Sequence, residues 1–162
     1  MSLLFEDKEL GEVIIAHQGI VYGGYIRDMI AKVEPTDIDV IIYLKNEVKF
    51  EKKMKEMGYT VALCAEHETS VYTKEGKKPV EVSFVLYDPI LILVPPIWPD
   101  YDVNTLMWNG SKILSWTNPY LDIGEIKEHI ANRGMLPMDD DVPENRLYKM
   151  LDKGYEILES DR

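Results

Sequence analysis

Cysteine is almost absent from this chain, in which Cys64 is the single example among 162 residues. One cysteine excludes an internal disulfide framework, and no stretch of the sequence resembles a signal peptide. The apolar run at residues 90–94 is much shorter than the roughly 20 residues that span a bilayer. The sequence therefore predicts a protein of a reducing, intracellular compartment, most simply the cytoplasm, with no membrane association.

Basic residues are also scarce. The chain has 18 lysines and arginines against 29 aspartates and glutamates, which gives a net charge of −11. A chain with this balance lacks the basic surface from which most nucleic-acid binders gain salt-dependent affinity. The charge argues against an enzyme that holds long RNA unaided. It does not argue against a nucleotide bound through Mg²⁺, because carboxylates are what hold such ions.

The composition gives no sign of disorder. Hydrophobic residues make up 46% of the chain and charged residues 29%, which is ordinary for a globular protein. A length of 162 residues suits one domain, or one domain with a short appendage, and is enough to bury a core.

Residues 19–43 predict two strands joined by a glycine turn and a short helix. In order these are a strand at 19–22, the pair Gly23–Gly24, a helix from Tyr25 to about Lys32, a loop with Pro35, and a strand carrying Asp37 and Asp39. Glycines allow a sharp turn and the close approach of a ligand, and a helix that follows at once presents free N–H groups. The pattern is typical of a phosphate site.

The second strand predicts a pair of carboxylates. Side chains alternate along a strand, so Asp37 and Asp39 lie on one face, about 7 Å apart between their Cα atoms. The opposite face, at positions 38, 40, 42 and 44, is wholly aliphatic and should form core. Two like charges this close are costly to bury unless a cation lies between them, and their oxygen ligands suit Mg²⁺ or Mn²⁺.

The motif Gly-Gly-x-x-Arg-Asp at 23–28, followed by Asp-Ile-Asp at 37–39, resembles the GGxxRD…DxD signature of class II nucleotidyltransferases. These are the CCA-adding enzymes and bacterial poly(A) polymerases of the DNA polymerase β superfamily. Each half alone has a plain alternative, a glycine turn before a helix or an exposed aspartate pair on an edge strand. The order of the two halves favours the resemblance.

The resemblance implies a nucleotide site with two metal ions. Asp37 and Asp39 would bind both Mg²⁺ (or Mn²⁺) ions, and Gly23 and Gly24 would hold the β- and γ-phosphates. Arg27 would either lie near the phosphates or brace the acidic strand by a salt bridge.

A third carboxylate is expected on a later strand. Three strand-like runs follow, the last two joined as a hairpin by a turn at 74–78; they lie at 59–65, 69–73 and 80–86. Members of the superfamily carry a carboxylate on a strand beside the Asp-x-Asp strand, and Glu81 fits that position. It would complete a triad that holds two metal ions. The alternative is a glutamate on the exposed face of a hairpin.

The segment from Asp100 to Leu106 is similar to a second motif of the family, RRDFTINAL, at its Asp, aromatic, aliphatic, Asn and Leu positions. Trp98 and Pro99 replace the two arginines, which puts in question any nucleotide contact that those arginines would make. Asp100 would approach a ribose hydroxyl, and Asn104 is expected to form structural hydrogen bonds.

The remaining pattern predicts helices that cover the sheet and two further strands. The helices lie at 5–17, 47–57, 122–133 with Asp122 and Gly134 as caps, and 143–159 with an interruption at Gly154; the strands lie at 90–94, closed off by Pro95–Pro96, and at 112–116. The last helix resembles the start of the family's neck helix. The expected domains are a palm, or head, at 1–138 and an acidic linker with a neck-like helix at 139–162.

The fold class expected is α+β, a polymerase-β-like palm in which helices flank a mixed sheet and the active site lies on the exposed sheet face. The implied function is metal-dependent transfer of a nucleoside monophosphate from an NTP to an acceptor hydroxyl, with release of pyrophosphate. The acceptor would be an RNA or tRNA end, a small molecule or a protein. An RNA acceptor would need a basic partner protein that binds the RNA. The alternatives are a degenerate palm that binds or regulates without catalysis, and an unrelated domain with three surface carboxylates.

Overall fold

The computed structural model describes residues 5–64, 69–91, 99–115, 122–138 and 141–158. Within these ranges the chain forms five α-helices, nine strands and two 3₁₀ turns. The helices are α1 Lys8–Ala16, α2 Gly24–Ile30, α3 Glu47–Glu56, α4 Ile123–Asn132 and α5 Glu144–Asp152. The strands are β1 Gly19–Tyr22, β2 Ile38–Tyr43, β3 Thr60–Cys64, β4 Thr69–Thr73, β5 Val80–Val85, β6 Leu106–Trp108, β7 Ile113–Ser115, β8 Gly134–Met135 and β9 Glu156–Ile157. The 3₁₀ turns are Leu44–Asn46 and Asp102–Asn104.

Seven strands form one mixed sheet in the order β3-β4-β5-β2-β1-β6-β7. The central pair β2–β5 is parallel, and the other pairs of this sheet are antiparallel. Strands β8 and β9 pair in parallel as a separate two-stranded sheet. The predicted α+β class with a mixed sheet and flanking helices is confirmed, as is the hairpin that joins β4 to β5.

The main core lies between the helices and one face of the sheet. On β2 this face carries Ile38, Val40 and Ile42, which are buried as their alternation predicts. Each helix contributes buried apolar side chains to the same cluster, among them Ile14, Ile26, Phe50, Ile126 and Met150. The prediction of an aliphatic core face on β2 is therefore confirmed.

The opposite face of the sheet is only partly open. Ile20, Ile41 and Met107 lie on this face and are fully buried, with Tyr22 and Leu114 packed against them. The expectation of an active site on an exposed sheet face thus needs a correction. The acidic residues lie at one end of that face, and an apolar cluster fills its middle.

The helix predictions hold in the interior and differ at some ends. Asp122 caps α4 as predicted, because its side chain accepts a hydrogen bond of 2.8 Å from the Gly124 amide. The residue in the left-handed conformation after α4 is Arg133, at φ 57°, and not the predicted Gly134. Gly134 instead begins β8, where a Cβ would lie 2.7 Å from a Leu158 methyl carbon.

The carboxy-terminal helix α5 is shorter than the predicted 143–159. It ends at Asp152, because Gly154 adopts φ +90° and the chain turns there into β9. Met150 packs in the main core, whereas Leu151 is 42% exposed. The interruption expected at Gly154 is therefore observed, and the residues beyond it are not helical.

Several predictions concern residues outside the described ranges. The strand expected at 90–94 is wrong at its start, because Ile90 and Leu91 form an exposed turn, and residues 92–98 lie outside the described part. The strand expected at 112–116 is observed at 113–115. Trp116 and residues 139–140 of the acidic linker also lie outside the described ranges. Among the residues described, no helix has both the length and the apolar character needed to cross a bilayer.

Candidate active site

The centre of the site is the start of β2, the middle strand of the sheet. Asp39 on β2 pairs with Glu81 on β5 in the parallel ladder, and with Tyr22 on β1 in the antiparallel ladder. Residues opposite each other on adjacent strands share a face and lie about 5 Å apart. The topology therefore places Tyr22, Asp39 and Glu81 side by side across three strands.

Three carboxylates converge at this point. Asp37 directly precedes β2, and one carboxylate oxygen each from Asp37, Asp39 and Glu81 lies within 4.8 Å of the other two. All three side chains are half-buried. The structure thus brings together the three acidic residues that the sequence singled out.

The carboxylates repel each other. Burial, the charges of Asp37 and Glu81 and a hydrogen bond with Glu81 raise the pKa of Asp39 to about 7, and the positive charge of Lys149 opposes this. Without a cation the cluster therefore keeps a proton at a pH where an ordinary aspartate has lost it.

The donor set fits a hard divalent cation. Three carboxylates within bridging distance on adjacent strands supply the oxygen ligands that Mg²⁺ and Mn²⁺ take. A cation among them would remove the repulsion that raises the pKa of Asp39.

The glycine turn faces the carboxylates. Gly23 has φ 75° and ψ −139°, a conformation that side-chain-bearing residues rarely adopt. A Cβ on Gly23 would lie 3.9 Å from Asp39 Oδ2. Helix α2 begins at the next residue, Gly24, so the helix start and the carboxylates border the same space.

Arg27 lies in the interior of the protein, 4% exposed. Its Nε donates to Asp28 Oδ1 at 2.9 Å and its Nη1 donates to Asn104 Oδ1 at 2.6 Å. Among the described residues its ion pair is with Asp28 and not with a carboxylate of the β2 strand. The observed bracing therefore links α2 to the 3₁₀ turn at Asn104, a partner that the sequence did not indicate.

The segment after α5 closes over Arg27 and Asp28. Lys153 donates to Asp28 Oδ2 at 3.1 Å. The Tyr155 ring is 3% exposed and lies between two guanidinium groups, with its centroid 5.8 Å from Arg27 Cζ and 5.6 Å from Arg133 Cζ. These contacts fasten the carboxy-terminal segment to the helix that follows the glycine turn.

Asp100 is held by hydrogen bonds from three directions. Its Oδ1 accepts from the Tyr101 amide at 2.9 Å and from Asn104 Nδ2 at 2.8 Å, and its Oδ2 accepts from Arg146 Nε at 2.8 Å. Burial alone would raise the pKa of Asp100, but the hydrogen bonds from Asn104 and Arg146 outweigh it and lower the pKa. Asp100 is thus an ionised carboxylate, and Asn104 has the structural role that was predicted.

Sequence reasoning missed the basic residues of α5. Arg146 supplies a guanidinium to Asp100 from a distant part of the chain, while Pro99 stands in an arginine position directly before Asp100. Lys149, one turn further along α5, is the cation whose charge reaches Asp39. The available signal was the Arg-x-x-Lys spacing in the predicted neck helix, which places both residues on one helix face.

Solved structures share this fold. The chain matches a CCA-adding enzyme in its apo form I with a TM-score of 0.64 and 14% identity over 94% of this chain and 39% of that one. A CCA-adding enzyme complex with CTP matches with a TM-score of 0.64 and 13% identity, over 96% of this chain and 41% of the other. The Thermotoga maritima CCA-adding enzyme in complex with tRNA matches with a TM-score of 0.60 and 14% identity, over 98% of this chain and 41% of the other.

These likenesses confirm the predicted fold, an α+β domain like the part of the CCA-adding enzymes that the chain matches. The chain spans about 40% of the length of the first structures that it matches. No family model matches the chain, and no curated protein sequence matches it significantly.

We predict that Asp39→Asn stabilises the metal-free protein at neutral pH by about 1–3 kcal/mol, since each pKa unit corresponds to about 1.4 kcal/mol. A carboxyl whose pKa rises on folding contributes most stability below its unfolded pKa, near 4, and loses that contribution as the pH rises through about 7. The stability difference between the variant and the wild type should therefore grow from pH 4 to pH 7 and then level off.

Chemical denaturation in the presence of a chelator, at several pH values, measures this difference. Glu75→Gln, an equal change of charge at an exposed turn residue, serves as the control and should show little pH-dependent gain. A constant or negative difference for Asp39→Asn would contradict the electrostatic account of the cluster.

We predict that Arg27→Met destabilises the protein by about 3 kcal/mol, because it leaves a buried carboxylate and a half-buried amide without their shared donor. The control is Arg146→Met, whose side chain is 51% exposed and whose ion pair with Asp100 is screened by solvent. That control should cost less than about 1 kcal/mol. Equal losses in a urea titration of the two variants would refute the structural role assigned to Arg27.

Proposed function

We propose that this domain is a metal-dependent nucleotidyltransferase that moves a nucleoside monophosphate from an NTP to an acceptor hydroxyl. The observation that carries the proposal is the convergence of Asp37, Asp39 and Glu81 beside the Gly23 turn. The fold of the solved neighbours supports it, and some of those structures are complexes with CTP, ATP or tRNA.

The carboxylates are proposed to hold two divalent ions, Mg²⁺ or Mn²⁺. Asp37 and Asp39 would contact both ions and Glu81 one of them. When bound, such ions neutralise the phosphates and lower the pKa of a hydroxyl that attacks phosphorus. The half-buried position of the triad supports this arrangement, because electrostatic interactions are stronger where water is excluded.

The glycine turn is proposed as the contact for the triphosphate. Gly23 and Gly24 have no side chain to hold the β- and γ-phosphates away from the backbone, and Gly23 borders Asp39. Arg27, which the sequence also suggested for this role, is buried in a network with Asp28 and Asn104. We assign Arg27 to holding the shape of the turn.

The basic residues of α5 are proposed to face the nucleotide from the other side. Lys149 lies close enough for its charge to act on Asp39, and Arg146 lies against Asp100. Asp100 remains the proposed contact for a ribose hydroxyl. This arrangement supplies cations near the triphosphate although Trp98 and Pro99 occupy the arginine positions of the family motif.

The reaction follows from this placement. The acceptor oxygen attacks the α-phosphorus in line with the bond to the β-phosphate, that bond breaks, and pyrophosphate leaves. The proton of the acceptor hydroxyl would leave to water, because a hydroxyl beside the divalent ions has a lowered pKa.

The acceptor is proposed to be a short or partner-delivered RNA end. The net charge of −11 leaves little electrostatic attraction for a long polyanion. A basic partner or further domain would therefore bind the rest of the RNA.

Isothermal titration of each of the four NTPs with Mg²⁺ tests the proposal. The wild type should bind at least one NTP only when Mg²⁺ is present, and Asp37→Asn combined with Glu81→Gln should weaken that binding at least 10-fold. Glu75→Gln is the matched control for loss of an acidic charge and should bind as the wild type does.

Metal-dependent NTP binding should be followed by transfer of label from an α-labelled NTP to a short RNA and release of pyrophosphate. Binding without transfer to any acceptor would favour the degenerate palm. Absence of NTP binding by the folded wild type would refute the proposal.

A further inference from the structure

Asp102 is a buried carboxylate that the proposed chemistry does not use. It begins the 3₁₀ turn Asp102–Asn104, two residues after Asp100, and is 2% exposed. A buried carboxylate is costly unless hydrogen-bond donors satisfy its oxygens. The donors that satisfy Asp102 therefore also fix the chain beside Asp100, the proposed contact for a ribose hydroxyl.

Two donors from distant parts of the chain hold the Asp102 side chain. Its Oδ2 lies 2.7 Å from Nδ1 of His129 on α4, and its Oδ1 accepts from the Leu136 amide at 2.8 Å. Because an ionised carboxylate only accepts hydrogen bonds, His129 is the donor in the first of these. In the part of the chain that the structure describes, His129 is the only basic side chain joined to Asp102.

The His129 ring lies between two carboxylates. The ring is 16% exposed, and its Nε2 lies 3.8 Å from Oε1 of Glu125, one turn earlier on α4. Glu125 is exposed, so that solvent screens its attraction for the ring. The buried bond to Asp102 is therefore the contact that ties His129 to the 3₁₀ turn.

The backbone transmits this contact to Asp100. The Asp102 amide donates to the Leu136 carbonyl at 2.9 Å, and the Met138 amide donates to the Asp100 carbonyl at 2.8 Å. The two segments thus run antiparallel to each other. Asp102 is bonded to Leu136 through both its side chain and its backbone, and Asp100 is held by the next bond of the same ladder.

The direction of the Asp100 carboxylate depends on this segment. A carboxylate has about four acceptor positions, and donors among the described residues use three, which are the Tyr101 amide and Asn104 Nδ2 on Oδ1 and Arg146 Nε on Oδ2. One position on Oδ2 is left for a ribose hydroxyl. Both donors to Oδ1 flank Asp102 in the chain, so a displaced Asp102 would turn Oδ2 as well.

We propose that His129, through its hydrogen bond with Asp102, is a positioning residue that directs Asp100 Oδ2 toward the ribose and so makes the site select nucleotides by their ribose hydroxyls. The inference rests on the proposed function, because the ribose contact of Asp100 is part of it. It assigns to α4 a role in specificity and none in binding the metal ions.

Isothermal titration of the four NTPs and of their 2′,3′-dideoxy forms, each with Mg²⁺, tests this inference. The wild type should bind its preferred NTP about 10-fold or more tightly than the dideoxy form, the size expected of a hydrogen bond to a charged group. His129→Phe keeps a ring and removes Nδ1. Its ratio should fall to about 3-fold or less, through weaker binding of the NTP alone.

The conservative variant His129→Asn separates the hydrogen bond from the bulk of the side chain. Its amide N–H takes the place of Nδ1, so that it should keep most of the wild-type ratio. Should His129→Phe fail to fold, His129→Gln replaces it, because the glutamine amide corresponds to Nε2 and not to Nδ1. The matched control is His17→Phe, which replaces a half-buried histidine at the end of α1 and should bind both forms as the wild type does.

Titration with Mn²⁺ alone, followed by electron paramagnetic resonance of the free ion, distinguishes positioning from a general loosening of the fold. The three carboxylates lie at β2 and β5, so His129→Phe should bind Mn²⁺ with wild-type affinity. A loosened fold would weaken the binding of Mn²⁺ and of both nucleotide forms together, and that result would overturn the inference.

Three further results would overturn the inference. They are a wild type that binds an NTP and its dideoxy form equally, a wild-type ratio in His129→Phe, and an equal loss of the ratio in His129→Phe and His129→Asn. A wild type that binds no NTP would instead refute the proposed function. The two failures are therefore distinguishable in one set of titrations.

Discussion

Repulsion among three carboxylates at the start of β2 is the constraint on which the rest of the structure depends. The parallel pairing of β2 with β5 places Glu81 beside Asp39, and Asp37 precedes the same strand. In the absence of a cation, burial and this repulsion raise the pKa of Asp39 to about 7. Such a cluster lowers the stability of the fold and favours the binding of a divalent ion. Functional sites commonly lower stability in this way.

A second network holds the surroundings of the site in place. It runs from Lys153 through Asp28 and Arg27 to Asn104, and from there through Asp100 to Arg146. Cationic and anionic side chains alternate along this network, with one neutral amide at Asn104. Each buried member therefore has an oppositely charged partner or a hydrogen-bond partner. It joins the helix after the glycine turn to α5, the two elements that border the carboxylates.

The sequence alone predicted what depends on strand alternation and local motifs, and failed where distant segments meet. Alternation along β2 was enough to separate Asp37 and Asp39 from the aliphatic core face, whereas Glu81 was chosen through the family resemblance, which implies a third carboxylate on a neighbouring strand. Local patterns could not show that Arg146 lies against Asp100, because that contact depends on the docking of α5. The interruption of α5 at Gly154 was predicted, but the pairing of the residues beyond it, β9, with β8 was not, because it depends on a distant segment.

The most direct measurement of the central claim is the anomalous diffraction of Mn²⁺ in crystals of the protein grown with a non-hydrolysable NTP analogue. The account predicts anomalous density among Asp37, Asp39 and Glu81, at roughly 2.0–2.3 Å from their oxygens, with the triphosphate beside Gly23. Ordered crystals in millimolar Mn²⁺ that show no density at the carboxylates, or that place the ion and the nucleotide elsewhere, would contradict it.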